Sequence, residues 1–298
     1  MSGFDRLGVK PPRPIPENLL FNTARRTVTL LVEAGPDARF WSQWVCSSVL
    51  VRDQGQGGRA AALAVLDDAT RAPDALVVAV LDADLDRVTD TMVDREGLVF
   101  TDAHDLETTL VCGDPFDKLV NYYAKEHRTT AEAKWKEPLR QRLLRHGEGM
   151  GRLRWLKHAS SPTFDALVFK KVTKKGLTYF DGYDKCVASG WAPSLANCVT
   201  ALCGYSSAQT LLLPKVNLAG LAEALGDADA AQLCNGHDLM GFLAHWLNKE
   251  AKVTPQTTSE GLAERLALSC ERAWLETTEM WKALRVWEAA RPGAELLS

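Results

Sequence analysis

Ala75-Leu-Val-Val-Ala-Val-Leu81, followed at once by Asp82-Ala-Asp84, is the stretch on which the fold turns. An unbroken apolar run of this length, rich in β-branched residues, reads as a central parallel strand covered on both faces. Similar runs lie on either side of it. Upstream, Thr27-Val-Thr-Leu-Leu-Val32 ends on Glu33, and downstream Gly97-Leu-Val-Phe100 leads into Thr101-Asp-Ala-His-Asp105-Leu-Glu107. Phe40, Trp41, Trp44, Val45 and Val49 have a helical spacing that slides into a further strand around 48–51. Arg52-Asp-Gln-Gly55-Gln-Gly57-Gly58 reads as a turn, and 59–70 as an alanine-rich helix. Alternating strands and helices predict an α/β fold: a small open, parallel-rich sheet with flanking helices and right-handed crossovers. Ligands of such sheets collect at the carboxyl ends of the strands, where Glu33, Asp82 and Asp84 stand.

The bulk numbers exclude little but bound the rest. The 298 residues are 46% apolar and 24% charged with a net charge of −3, which is the balance of a soluble globular protein. Seven cysteines, odd in number and without a Cys-x-x-Cys pair, argue against a zinc knuckle or a disulfide framework and for free thiols in a reducing cytoplasm. Pro11, Pro12, Pro14 and Pro16 occupy the region where a signal peptide needs an apolar core, and no run reaches membrane-span length. The expected organisation is a proline-rich lead-in over 1–26, a catalytic α/β domain over 27–120, and a mainly helical region over 121–298.

Within that last region, 125–157 carries ten Lys or Arg against four Glu. Segments 167–172 and 177–180 flank Thr173-Lys-Lys-Gly176 and predict a β-hairpin with a basic tip. Cys234-Asn-Gly-His-Asp238 precedes an amphipathic helix through Leu247. A single long helix over 258–290 is expected to present Leu262, Leu266, Cys270, Trp274, Trp281 and Leu284 on one face.

The chemistry follows from the carboxylates. Aspartates two apart at a strand end project to one side, and with a glutamate from another strand end they repel one another unless a hard divalent cation joins them. Glu33, Asp82 and Asp84 are therefore candidates to hold Mg²⁺, or Mn²⁺ in its place. Glu33 can alternatively act as a general acid or base. Asp105 and Glu107 complete the shell or, equally well, supply the acidic first turn of a helix. Asp37 reads as a helix cap and Asp86 as a solvated bystander. His104 lies between acids but is alone, while His237 and His245 lack ligand spacing. Gly55-x-Gly57-Gly58 lacks both phosphate-binding signatures, so no nucleotide cofactor is assigned.

The basic segment and hairpin suit a polyanion. Lys170, Lys171, Lys174, Lys175, Arg140 and Arg145 are candidates to follow a phosphate backbone, with Trp135 and Trp155 available to stack on bases. A solvated helix face laced with ion pairs accounts for the same charge run.

Glu33 after the first strand and Asp82-x-Asp84 after the third resemble the toprim fold of topoisomerases, primases and overcoming-lysogenization-defect nucleases. The fuller set Leu31-Val-Glu33…Asp37-Ala-Arg-Phe40-Trp41, Leu81-Asp82-Ala-Asp84, Thr101-Asp-Ala-His-Asp105-Leu-Glu107 and Asn235-Gly-His-Asp-Leu239 is similar to a bacterial toprim-like domain family of undefined function. That family includes the nuclease effector of the PARIS antiphage system. One departure is Ala34, which separates Glu33 from Gly35 where the family has Glu-Gly. The resemblance implies a Mg²⁺-dependent nuclease with Glu33, Asp82 and Asp84 as its catalytic carboxylates. It further implies RNA, transfer RNA above all, rather than DNA as substrate, a hairpin lysine near the scissile phosphate, and an ABC- or AAA-type ATPase from the same locus as partner. A homodimer is compatible with it. Two alternatives stand beside it: a catalytically silent module that signals with an ATPase, and a primase- or topoisomerase-like enzyme lacking accessory domains.

Overall fold

Every residue of the third strand is buried, as its unbroken apolar sequence requires of a strand covered on both faces. The computed structural model describes residues 27–69, 71, 75–159, 167–173, 176–206 and 228–298. In chain order the sheet segment runs β1 (Thr29–Val32), α1 (Gly35–Trp41), β2 (Leu50–Asp53), a 3₁₀ turn (Gly55–Gly57), α2 (Gly58–Ala69), β3 (Val77–Leu81), α3 (Asp86–Thr89) and β4 (Leu98–Phe100). Then come α4 (Leu106–Val111), α5 (Asp114–Trp135), α6 (Leu139–Ala159), β5 (Lys170–Thr173), β6 (Gly176–Tyr179), α7 (Tyr183–Cys186), β7 (Val187–Ala188), β8 (Ala192–Pro193) and α8 (Leu195–Tyr205). After α9 (Ala230–Leu233), α10 (Gly236–His245) passes into a π-helical turn (Trp246–Glu250). The chain ends with α11 (Ser259–Leu268), α12 (Arg272–Leu275) and α13 (Glu279–Ala289).

The described chain divides into two compact units. The first holds the residues up to Ala83, Met92–Leu106 and Cys270–Ser298; the second holds Asp84–Thr91 and Glu107–Ser269.

In the first unit four parallel strands lie in the order β2-β1-β3-β4. Leu31 pairs with Ala79 and Leu81 with Phe100, so the carboxyl ends of β1, β3 and β4 finish within one residue of one another. Leu31, Ala79 and Leu81 pack on Ala62 and Leu66 of α2, and each fully buried leucine there contributes about 1.5–3 kcal/mol. Helix α13 packs against β3 and β4. Gly97 (φ +76°) opens β4, because a Cβ there would press to 3.0 Å from the Val77 carbonyl oxygen.

Two sequence expectations shift. Helix α1 stops at Trp41, and β2 takes in Arg52 and Asp53, which read as turn residues. An edge strand has only β1 to satisfy, so polar side chains are tolerated there. The long helix expected over 258–290 is three helices. Thr278 accepts the Trp281 N–H, and both oxygens of the Asp102 carboxylate accept, from the Glu279 and Met280 N–H groups at 2.8 Å each, so a new helix starts at 279. Its apolar stripe therefore serves two cores, with Leu262 and Leu266 in the second unit and Cys270, Trp281 and Leu284 in the first.

The second unit is helical and carries the expected antiparallel hairpin, β5 with β6. Its core is aromatic. His146, 1% exposed, lies between Trp191 (ring centroids 4.3 Å apart) and Phe242 (5.0 Å), and Trp135 stacks on Trp191. Arg154 grips the buried Asp238 with two hydrogen bonds of 2.9 and 3.0 Å, and the Tyr183 hydroxyl donates to the same carboxylate at 3.0 Å. All seven cysteines are free thiols, five of them buried. Among the described residues no helix is long and apolar enough to cross a membrane.

Candidate functional site

The site is built by strand ends. Because β1 and β3 are neighbours that end within one residue of one another, the residue after β1 faces the backbone after β3. Glu33 Oε1 accepts the Asp82 N–H at 3.2 Å. From the other side of β3, Thr101, just after β4, accepts the next amide: the Ala83 N–H donates to Thr101 Oγ1 at 3.0 Å. The Thr101 hydroxyl in turn donates to the Ala103 carbonyl at 2.8 Å, and the Thr101 N–H donates to Leu81 O at 3.0 Å. Two consecutive amides leaving β3 are thus held by side chains from the strands on either side. Asp84 follows in the left-handed region (φ +49°), which aspartate tolerates better than most residues, and it opens the second unit.

The glycine turn borders this place. Gly58 (φ +45°) begins α2, and a Cβ built there would stand 3.9 Å from Glu33 Oε2. No phosphate signature marks that turn in the sequence. Its nearness to Glu33 follows from β2 pairing with β1.

A second group of acids surrounds Asp37. Its Oδ2 accepts the Ala34 N–H at 3.1 Å, which closes the first turn of α1 as a cap should. Burial pushes the Asp37 carboxyl up, to about 6, against the pull of that amide, and the negative charges of Asp105 and Asp53 push the same way. Asp105 is 5% exposed. Sequence reading set Asp37 aside as a cap and did not consider Asp53. The available signal was that both sit within a few residues of a strand's carboxyl end.

Glu107 lies in the first turn of α4, within the second unit. His104 is buried beside Asp105 in sequence. Asp86 accepts from the Thr91 hydroxyl at 3.1 Å.

Among the described residues, no three His, Cys, Asp or Glu side chains converge on a point that could hold a metal ion. The donor set is still of the kind Mg²⁺ uses: hard carboxylate oxygens, one or two per ion, with water and substrate phosphate completing the octahedron. Glu33 and Asp82 fit that description.

The basic residues divide. Lys174 and Lys175 lie outside the described residues, as do the side chains of Lys170 and Lys171, whose backbones form β5. Arg140 pairs with Asp117 and lies over the Phe116 ring, and Arg145 pairs with Glu137. Arg128 bridges Asp117 and Glu132, Arg152 pairs with Glu148, and Arg142 stacks on Trp135. Much of the positive run in α5 and α6 is matched by local carboxylates.

No family model matches the chain, and neither the curated proteins nor the solved structures contain a match to it.

Proposed function

We propose that the protein is a Mg²⁺-dependent nuclease whose reaction is centred on Glu33 and Asp82, with Asp84 two residues further along the chain as the third carboxylate. The observation that carries this reading is the direct link between the Glu33 carboxylate and the Asp82 amide at the carboxyl ends of adjacent parallel strands. Sheet order supports it, because β1 and β3 are neighbours although β2 separates them in sequence. A bound Mg²⁺ would activate water and neutralise charge on the leaving oxygen of a phosphodiester. Beside it, Glu33 holds the loop after β3 through its Oε1. Asp105 and Glu107 are proposed as support for the ion, and Asp37 with Asp53 as part of the surrounding negative field. RNA as substrate and control by an ATPase partner rest on the motif resemblance alone.

Purified protein incubated with Mg²⁺ or Mn²⁺ and with transfer RNA, single-stranded RNA or plasmid DNA tests the reading, beside Glu33→Ala and Asp82→Ala. Metal-dependent cleavage that both variants lose is the expected result. No cleavage of any substrate, with or without an ATPase encoded beside it, leaves the silent signalling module instead. Equal activity in the variants removes the site assignment.

A further inference from the structure

We infer that Thr101 is a positioning residue for the metal-binding loop after β3, an inference that rests on the nuclease reading above. Four observations carry it. Thr101 is 2% exposed, so water does not compete for its hydroxyl. The hydroxyl is used in both senses, accepting from the Ala83 N–H at 3.0 Å and donating to the Ala103 carbonyl at 2.8 Å. Ala83 is the residue between Asp82 and Asp84 and is itself fully buried. The amide before it is held from the opposite side by Glu33.

A loop held at one amide can pivot about it, whereas a loop held at two consecutive amides from opposite sides cannot. The backbone from which Asp82 projects its carboxylate is then held by the pair of bonds, of which Glu33 supplies one and Thr101 the other. Magnesium demands near-ideal octahedral geometry, so a carboxylate aimed in advance binds it better than one that must be ordered on binding. Residues that orient ligands without touching the ion act in this way, through a hydrogen bond to the element that carries the ligand.

The test compares Thr101→Val, of the same shape but without the hydroxyl, with Thr101→Ser, which keeps it. Mn²⁺ binding is measured by titration calorimetry on folded protein, with no nucleic acid present, and Ala83 amide exchange is followed by NMR. The Ala83 N–H should be protected in the wild type and in Thr101→Ser and exchange faster in Thr101→Val. The Mn²⁺ dissociation constant should rise about 10- to 100-fold in Thr101→Val and stay near the wild-type value in Thr101→Ser. Thr101→Val that melts earlier but binds Mn²⁺ as the wild type does overturns the positioning role and leaves the nuclease reading intact. Wild-type protein that binds no Mn²⁺ overturns the nuclease reading and the inference with it. If Thr101→Val does not fold, rapid exchange of Ala83 in the wild type overturns the inference, and protection together with wild-type Mn²⁺ affinity in Thr101→Ser supports it.

Discussion

The Glu33 carboxylate and the Asp82 backbone meet at 3.2 Å although 49 residues separate them in sequence. One oxygen of Glu33 is committed to that amide, so charge and hydrogen-bonding capacity can be separated by substitution.

Glu33→Gln keeps an acceptor for the Asp82 N–H and removes the charge. Its urea midpoint should match the wild type to within about 0.5 kcal/mol, while metal-dependent cleavage falls by roughly 10²–10⁴-fold. Glu33→Ala should lose the same activity and, in addition, about 1 kcal/mol of stability as the amide loses its partner. Parallel denaturation and cleavage assays on the two variants separate the effects.

The Asp37 carboxyl titrates near 6 in the fold, against an ordinary value of 3.8. The folded state therefore holds its proton more tightly than the unfolded chain does. Stability from this group is fully present below about pH 4 and is lost as pH rises through about 6. Asp37→Asn keeps an acceptor for the Ala34 N–H without the charge, so it should stabilise the protein at pH 7 by up to ~3 kcal/mol and make no difference near pH 4. Urea midpoints across pH 4–7.5 check this.

His146 slopes the other way. Burial between Trp191 and Phe242 pushes it down to about 3, with the Arg142 charge acting in the same direction. It stays neutral in the fold while the unfolded chain takes a proton below about 6.5. Its contribution is present above that pH and drains away as pH falls toward 3. His146→Phe keeps an aromatic ring in the slot and should flatten the acid limb by a few kcal/mol at pH 4. Denaturation midpoints at pH 4 and pH 7.5 provide the readout.

In the second unit, Asp238→Asn should cost about 3–5 kcal/mol, because the Arg154 guanidinium loses the carboxylate it grips. Tyr183→Phe removes one hydrogen bond to the same carboxylate and should cost only about 1 kcal/mol. Equal costs for the two would show that the ion pair is not the main support.

The strands were legible because burial on both faces writes a continuous apolar run, and the place of Glu33 and Asp82 at strand ends was legible because each follows such a run. The meeting of Asp37 with the fields of Asp105 and Asp53 was not, since it depends on which strands are neighbours rather than on any local pattern. The start of α13 was hidden for a similar reason: its cap, Asp102, lies 177 residues upstream. Trp281 and Leu284 continue the apolar spacing of Leu262 and Leu266, so periodicity alone joined helices that cap residues separate. In α5 and α6 the positive count was correct, but Asp117, which takes up Arg128 and Arg140, comes from before the counted segment.

Residues 270–298 return to the sheet unit: α13 hangs from Asp102, Leu297 bridges Val45, and the Ser298 N–H donates to the Trp44 carbonyl. A chain emerges from the ribosome in order, and compact units fold as their parts become available. The second unit can close while the stretch that finishes the sheet is still being made. The strand-end carboxylates would then acquire their complete setting only after the chain of the second unit has been made, so the sheet unit is the later of the two to close.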